Sequence, residues 1–190
     1  MPHHVTQRGY NEEVVFPTDH DKSFYLDSLR FQCSKHKVRI LGYCLMTNHI
    51  HMIIIPSKED SLALVMRRTQ GKYSQYLNAS RNRRGHVWQD RFFSCALGDS
   101  HLIHALRYVD RNPVRAGMVK DALDYPWSSA RAHADFVDSS GVVDLEVWQR
   151  LAGGLDWRRF TGDGEEEDTL QVIREHTRSG SPLGLMVRGT

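Results

Sequence analysis

Val38-Arg39-Ile40-Leu41-Gly42-Tyr43-Cys44-Leu45-Met46-Thr47-Asn48-His49-Ile50-His51-Met52-Ile53-Ile54-Ile55 reads as a β-hairpin. Val38, Ile40, Leu41, Tyr43, Cys44 and Leu45 supply one strand, Thr47 and Asn48 a tight connection, and Ile50 to Ile55 a second strand bounded by Pro56. Met52 to Ile55 run without a polar interruption, as expected of a central strand covered on both faces. Before the hairpin, His4 to Gln7 read as a short strand, and Thr18 or Asp19 is placed to cap a helix reaching about Lys35. After it, Ser61 is expected to cap a helix whose stripe Leu62, Val65, Met66, Thr69, Tyr73, Tyr76 and Leu77 has the 3.6 period. Asn78 to Gly85 form a basic turn, Val87 to Leu97 a strand, and Asp99 to about Arg111 a helix stopped by Pro113. The order strand, helix, strand, strand, helix, strand, helix predicts an α+β fold, a ferredoxin-like antiparallel sheet with helices packed on one face. Leu145 to Leu151, ahead of Gly153 and Gly154, and Thr169 to His176 are expected to add C-terminal accessory helices. We divide the chain into a domain at 1–133 and an accessory region at 134–190.

The charge distribution follows this division. Of the 190 residues, 1–133 hold 19 Lys and Arg against 12 Asp and Glu, a net of +7, whereas 134–190 hold 6 against 11, a net of −5. The basic part is the one suited to a polyanion. Within it, Arg81, Arg83, Arg84 and Arg91 surround Trp88, Phe92 and Phe93, a mixture that can pair phosphates and stack bases, or can equally form a solvated basic hairpin over buried rings. The acidic run Asp163 to Asp168 reads as a solvated linker or the start of a helix, and a lid role for it is one expectation. The longest apolar run, Leu62 to Met66, is far short of the ~20 residues of a membrane span, and the first residues carry no apolar leader. A soluble cytoplasmic chain with no membrane partner is expected. Cys33, Cys44 and Cys95 share no metal or redox spacing and read as small buried residues.

Two groups of residues could do chemistry. His49 and His51 open the second hairpin strand, where the period of two throws both imidazoles to one face and Ile50 to the other. They are either a divalent-metal pair or two polar residues at a strand end. The buried run behind them favours ligands, because polar groups at the mouth of such a strand need partners. The helix before Pro113 offers His104, Tyr108 and Asn112 at i, i+4 and i+8, a phenol one turn from a carboxamide oxygen that can bind a hard cation. A tyrosine beside a metal-bound phosphate can attack it and form a covalent phosphotyrosine; the alternative is a core aromatic. Tyr73 and Tyr76 compete as nucleophiles but lie on or beside an apolar helix stripe.

These residues resemble a known family. His4-Val5-Thr6-Gln7-Arg8-Gly9, Leu45-Met46-Thr47-Asn48-His49-Ile50-His51, Gly85-His86-Val87-Trp88-Gln89-Asp90-Arg91-Phe92, Arg107-Tyr108-Val109-Asp110-Arg111-Asn112-Pro113-Val114-Arg115-Ala116-Gly117 and Trp127-Ser128-Ser129 follow in order, and Gly180-Ser181-Pro182-Leu183-Gly184 looks like a tail motif of the same group. The chain resembles the single-tyrosine HUH transposases of bacteria, most closely the REP-associated tyrosine transposases. The resemblance implies His49, His51 and Asn112 as ligands of Mg²⁺ or Mn²⁺ and Tyr108 as nucleophile. It also implies single-stranded or hairpin DNA as substrate and a covalent 5′-phosphotyrosine. Arg8, Arg83, Arg84 and Arg91 are then expected to contact phosphates and Trp88 to stack on a base. The monomer is favoured over the homodimer. The competing readings are a hairpin-DNA-binding regulator that does not cut, and a metal hydrolase with a water nucleophile that leaves Tyr108 and Asn112 idle.

Overall fold

A computed structural model describes residues 1–164, 171–173, 175, 176, 181 and 183. Most of the acidic run, part of the last expected helix and part of the tail motif lie outside the described residues. The sheet contains β1 (His3–Arg8), β2 (Arg39–Leu45), β3 (His49–Ile55) and β4 (Phe93–Ala96) in the order β2-β3-β1-β4, with all neighbours antiparallel. Between them run α1 (Asp19–His36) and α2 (Ser61–Ser80), and α3 (Asp99–Asp110) follows β4. This is the ferredoxin-like order the sequence predicts. Thr18 caps α1 in a capping box: its hydroxyl accepts from the Asp21 amide while the Asp21 carboxylate accepts from the Thr18 amide. Ser61 is the first residue of α2 rather than its cap, and its hydroxyl accepts from the amides of Ser57 and Lys58.

The helices divide between both faces of the sheet. Tyr25, Leu26 and Leu29 of α1 and Val65, Met66 and Tyr73 of α2 share a core with Val5, Tyr43, Ile50, Met52 and Ile54. Leu102, Leu106 and Val109 of α3 pack the opposite face with Leu41, Cys44 and Ile53. The one-face expectation therefore holds for α1 and α2 and not for α3; the unbroken run in β3 gives both faces an apolar surface to cover. α4 (Asn112–Arg115), α5 (Ala130–Asp135), α6 (Leu145–Ala152) and α7 (Trp157–Gly162) follow. Trp148 and Trp157 join the core of α3, so residue 133, where the sequence reading divides the chain, falls inside α5 and inside that core. Pro113 does not end helical structure outright; it occupies the first turn of α4, where its missing N–H costs nothing. All three cysteines are free and buried. Among the described residues no helix is long and apolar enough to cross a membrane.

β4 is shorter than the expected strand Val87 to Leu97. Gly9 bridges Trp88 and Thr6 pairs with Phe93, so three steps along β1 face five along the other chain. The two surplus residues form a bulge in which Asp90 is left-handed, at φ 45°. It carries Asp90 and Arg91 out over the end of the sheet, to the mouth of a cleft. At the same end the Gly9 amide donates to Asn48 O at 2.7 Å, and a Cβ on Gly9 would meet Glu13 O at 2.4 Å and Val15 Cγ1 at 2.6 Å. Backbone cannot yield as a flexible side chain can. We expect Gly9→Ala to lower stability by about 1–3 kcal/mol in denaturant unfolding, the cost of overpacking; an unchanged midpoint would contradict this close approach.

Candidate functional site

The cleft has a volume of about 460 Å³ and is lined by Thr6, Gln7 and Arg8 of β1, His49 and His51 of β3, Gln89 to Arg91 of the bulge, Phe93, and Tyr108 and Asn112. Strand register builds its floor: Thr6 lies opposite His51 and Arg8 opposite His49. His49 and His51 share a face, with ring centroids 5.1 Å apart. Tyr108 arrives from α3 with its ring 5.8 Å from that of His51. Both Tyr108 and Asn112 are buried beneath the cleft surface. The four residues that the resemblance implies as catalytic thus meet in one place, within one chain.

The polar atoms are prepared for a cation. His49 Nδ1 lies 2.7 Å from Asn48 Oδ1, an acceptor, which puts the proton on Nδ1 and leaves Nε2 with a lone pair. His51 Nδ1 is held at 3.1 Å by Nε2 of His4. Burial, with the charge of Arg8, holds the His49 ring down to about 4, and burial first, then the charges of its neighbours, puts His51 well below its ordinary value. Neutral imidazoles anchored through one nitrogen are what a metal requires of its histidine ligands. Asn112 Nδ2 donates to Tyr108 O and Val109 O, both at 3.2 Å; two carbonyl acceptors fix the amide orientation and leave Oδ1 as its outward group. Among the described residues no cluster of three His, Cys, Asp or Glu ligands is present. The donor set is two imidazoles and one amide oxygen, which suits a hard cation that keeps waters and takes substrate phosphate oxygens as further ligands.

His4 was given no role at the site by the sequence, only a strand start and a place in the first shared motif. Its ring is 2% exposed, stacks on His51 at 5.3 Å and meets Tyr108 edge-on at 5.8 Å. Its signal was the period of two: His4 and Thr6 must share the face of β1 that borders His51. Arg115 was missed as well; its guanidinium lies 4.0 Å over the Tyr108 ring and donates to Tyr108 O, pinning the phenol ring. His104 is exposed and meets Phe160 of α7 at 5.8 Å rather than lining the cleft. Tyr73 donates to Val15 O within the core, and Tyr76 donates to Asp21 and stacks on Phe24 at 3.9 Å, so both rival tyrosines pack.

Of the expected DNA contacts, Arg8 and Arg91 reach the cleft. Arg8 pairs with Glu12 at 2.9 Å, and Arg83, outside the cleft, pairs with Glu13 at 3.0 Å. Arg84 is exposed on the turn after α2. Trp88 does not offer a stacking face. It is 8% exposed, with Phe16, Tyr25 and Tyr73 around it at ring distances of 5.8 to 6.1 Å, because its backbone pairing with Gly9 turns it into the core. Phe93, at 54%, is the more exposed ring; it lines this cleft and an adjoining one formed with Tyr10, His86, Phe92 and the small accessible part of Trp88.

Trp88→Ala should cost about 3–5 kcal/mol, as for a buried aromatic, whereas Phe93→Ala should shift stability by no more than about 0.5 kcal/mol; equal denaturant midpoints for the two variants would contradict the assignment. Burial, reinforced by Arg115, also lowers His4 to about 4, as it does His49 with the help of Arg8. In the unfolded chain each ring takes its proton near 6.5, so between these values the unfolded state binds more protons. Stability should be full above pH 6.5 and fall towards pH 4, with His4→Gln flattening part of that slope. Denaturant midpoints that stay level across the window would refute it.

Comparisons with known proteins agree with this geometry. Over 176 residues the chain is 25% identical to a Haemophilus influenzae protein named as a REP-associated tyrosine transposase, a match covering 83% of this chain and 95% of the relative. A solved REP-associated tyrosine transposase, bound to a REP hairpin, shares the fold with a TM-score of 0.62 at 18% identity, over 76% of this chain and 82% of that one. The model of the IS200-like transposases matches residues 1–112, which carry the sheet, both histidines, Tyr108 and Asn112, and the chain belongs to that family.

Proposed function

We propose that the protein is a metal-dependent single-stranded DNA endonuclease and strand transferase that acts on palindromic hairpin DNA through a covalent 5′-phosphotyrosine. The observation that carries this reading is the meeting of Tyr108 and Asn112 with the His49–His51 pair in one cleft bordered by Arg8 and Arg91. The hairpin-bound structural relative supports the substrate class.

His49 and His51 through Nε2, and Asn112 through Oδ1, would hold Mg²⁺ or Mn²⁺. When bound, the ion supplies Lewis-acid charge that neutralises the scissile phosphate. Arg8 and Arg91 bring the DNA backbone to the cleft and add positive charge, while Phe93 offers a ring face to an unpaired base. Arg115 holds the Tyr108 ring against rotation. Tyr108 Oη then loses its proton to solvent and forms a bond to phosphorus, the bond from phosphorus to the 3′ oxygen breaks, and that oxygen takes a proton from solvent and leaves as a 3′-hydroxyl. The phosphotyrosine keeps the energy of the broken ester, so a 3′-hydroxyl attacking later can rejoin strands without an external source. All four residues come together within one chain, which supports the monomer over the homodimer.

The non-cutting regulator would share the fold and the basic cleft but form no adduct. A denaturing gel with labelled single-stranded hairpins and Mn²⁺ separates the two. The parent protein should give a retarded, protease-sensitive band that is absent in Tyr108→Phe, while Tyr108→Phe still binds the DNA. Phe93→Ala should weaken binding about 5- to 150-fold, the worth of one stacked base. Binding without an adduct in the parent, with either metal, would overturn the catalytic reading.

A further inference from the structure

Asp110 lies between Tyr108 and Asn112 in sequence and is fully buried. It sits about 200° around α3 from Tyr108, on the side away from the cleft. Its carboxylate binds three side chains from two helices: Ser129 Oγ at 2.6 Å and His133 Nδ1 at 2.7 Å, from the cap and body of α5, and Trp157 Nε1 at 2.9 Å, from α7. His133 Nε2 in turn lies 2.6 Å from Leu41 O in β2. Both ring nitrogens of His133 are thus engaged, Nδ1 by the Asp110 carboxylate and Nε2 by the β2 backbone, so the imidazole ties α3 to the sheet. Trp148 Nε1 donates to His133 O at 3.0 Å, and the Trp148 ring covers the imidazole at 4.2 Å.

Two further observations locate this network against the sheet. A Cβ on Gly42 of β2 would meet Leu106 Cδ2 at 2.7 Å, Ser129 Oγ at 3.0 Å and His133 Cε1 at 3.1 Å, so a residue without a side chain lets α3 and the network close onto the strand. On the other flank, Arg107 Nη2 donates to Asp163 O at 2.7 Å and Gly164 O at 2.9 Å, and Arg111 Nη1 to Asp163 O at 3.0 Å, binding the carboxyl end of α7 to the tyrosine helix.

We propose that Asp110 is a positioning residue for strand transfer. Locked by Ser129, His133 and Trp157, its carboxylate fixes the rotation of the last turn of α3 and so sets Tyr108 and Asn112 against His49 and His51. Residues 128–164 are then part of the catalytic unit. Apolar side chains could fill the same volume at equal or better stability, but they would not fix rotation, whereas three directional bonds do. Rotation matters because a displacement of about 1 Å at a reacting group can cost on the order of 100-fold in rate.

This inference rests on the transfer reading above, and its test separates the two. Asp110→Asn, Ser129→Ala and Trp157→Phe are compared with the parent well below their unfolding midpoints, so that all are folded. Trp157→Phe keeps the ring packing and removes one bond, which covers the case in which Asp110→Asn fails to fold. Adduct formation is followed in single turnover at saturating hairpin DNA, and Mn²⁺ affinity by electron paramagnetic resonance. We expect Trp157→Phe to slow the adduct step about 10- to 100-fold and to weaken Mn²⁺ at least threefold, with DNA affinity within twofold of the parent. A role confined to stability would leave the rate and the Mn²⁺ affinity of the folded variants unchanged, and that result would overturn the proposal. A parent that makes no adduct removes the transfer reading; Mn²⁺ affinity then decides whether Asp110 positions Asn112.

Discussion

The pairing of β1 with β3 is the constraint on which the site depends. Thr6 opposite His51 and Arg8 opposite His49 fix which face of the sheet receives the imidazoles. Because strand side chains alternate with a period of two, a slip of one residue would turn His49 and His51 into the apolar core under α1 and α2. The register is held from both sides. Ile50, Met52 and Ile54 must face that core, and Ile53 must face α3. The hydrophobic pattern that folds the strand is therefore also what aims the histidines, and His4, on the same face of β1, completes the arrangement by holding His51 Nδ1.

Much of this was legible in the sequence because the residues involved are governed by local rules. A helix start at Thr18 or Asp19, the Thr47–Asn48 connection and the apolar run of β3 each follow from one short stretch. The tyrosine helix was equally readable, since Tyr108 and Asn112 lie one turn apart. What escaped depends on distant pairing. The surplus residues around Asp90, which shorten β4, exist only relative to β1. Trp88 looked like a stacking residue because its neighbours are arginines, but its bridge to Gly9 turns it inward and leaves the exposed ring to Phe93. Arg115 and His4 are far from His51 in sequence and gain their roles only when α4 and β1 come together. The covering of both sheet faces was implied by Met52 to Ile55, whose pattern asks for two partners; the helical stripes did not say which helix takes which face.

The charge asymmetry also acquires a physical meaning. The basic residues nearest the cleft, Arg8 and Arg91, stand at its mouth, where a phosphate backbone can reach them. The arginines of the tyrosine helix, Arg107 and Arg111, are instead engaged with backbone carbonyls at the end of α7. Net charge along the sequence thus mixes two uses of the same residue type: guanidinium groups at the surface of the cleft, where a polyanion can reach them, and more buried ones that join helices. Only the structure separates them, and it places the second group where the accessory helices meet the segment that carries Tyr108.

The central claim is that Tyr108 is the atom-bearing nucleophile, and the most direct measurement is mass spectrometry of the covalent product. Trypsin cutting after Arg107 and Arg111 isolates Tyr108-Val109-Asp110-Arg111 from the protein. After incubation with hairpin DNA and Mn²⁺, followed by nuclease and trypsin, this peptide should carry a nucleotide through a phosphate on the tyrosine oxygen. Recovery of the nucleotide on another tyrosine, or cleaved DNA with this peptide unmodified throughout a time course, would contradict the account.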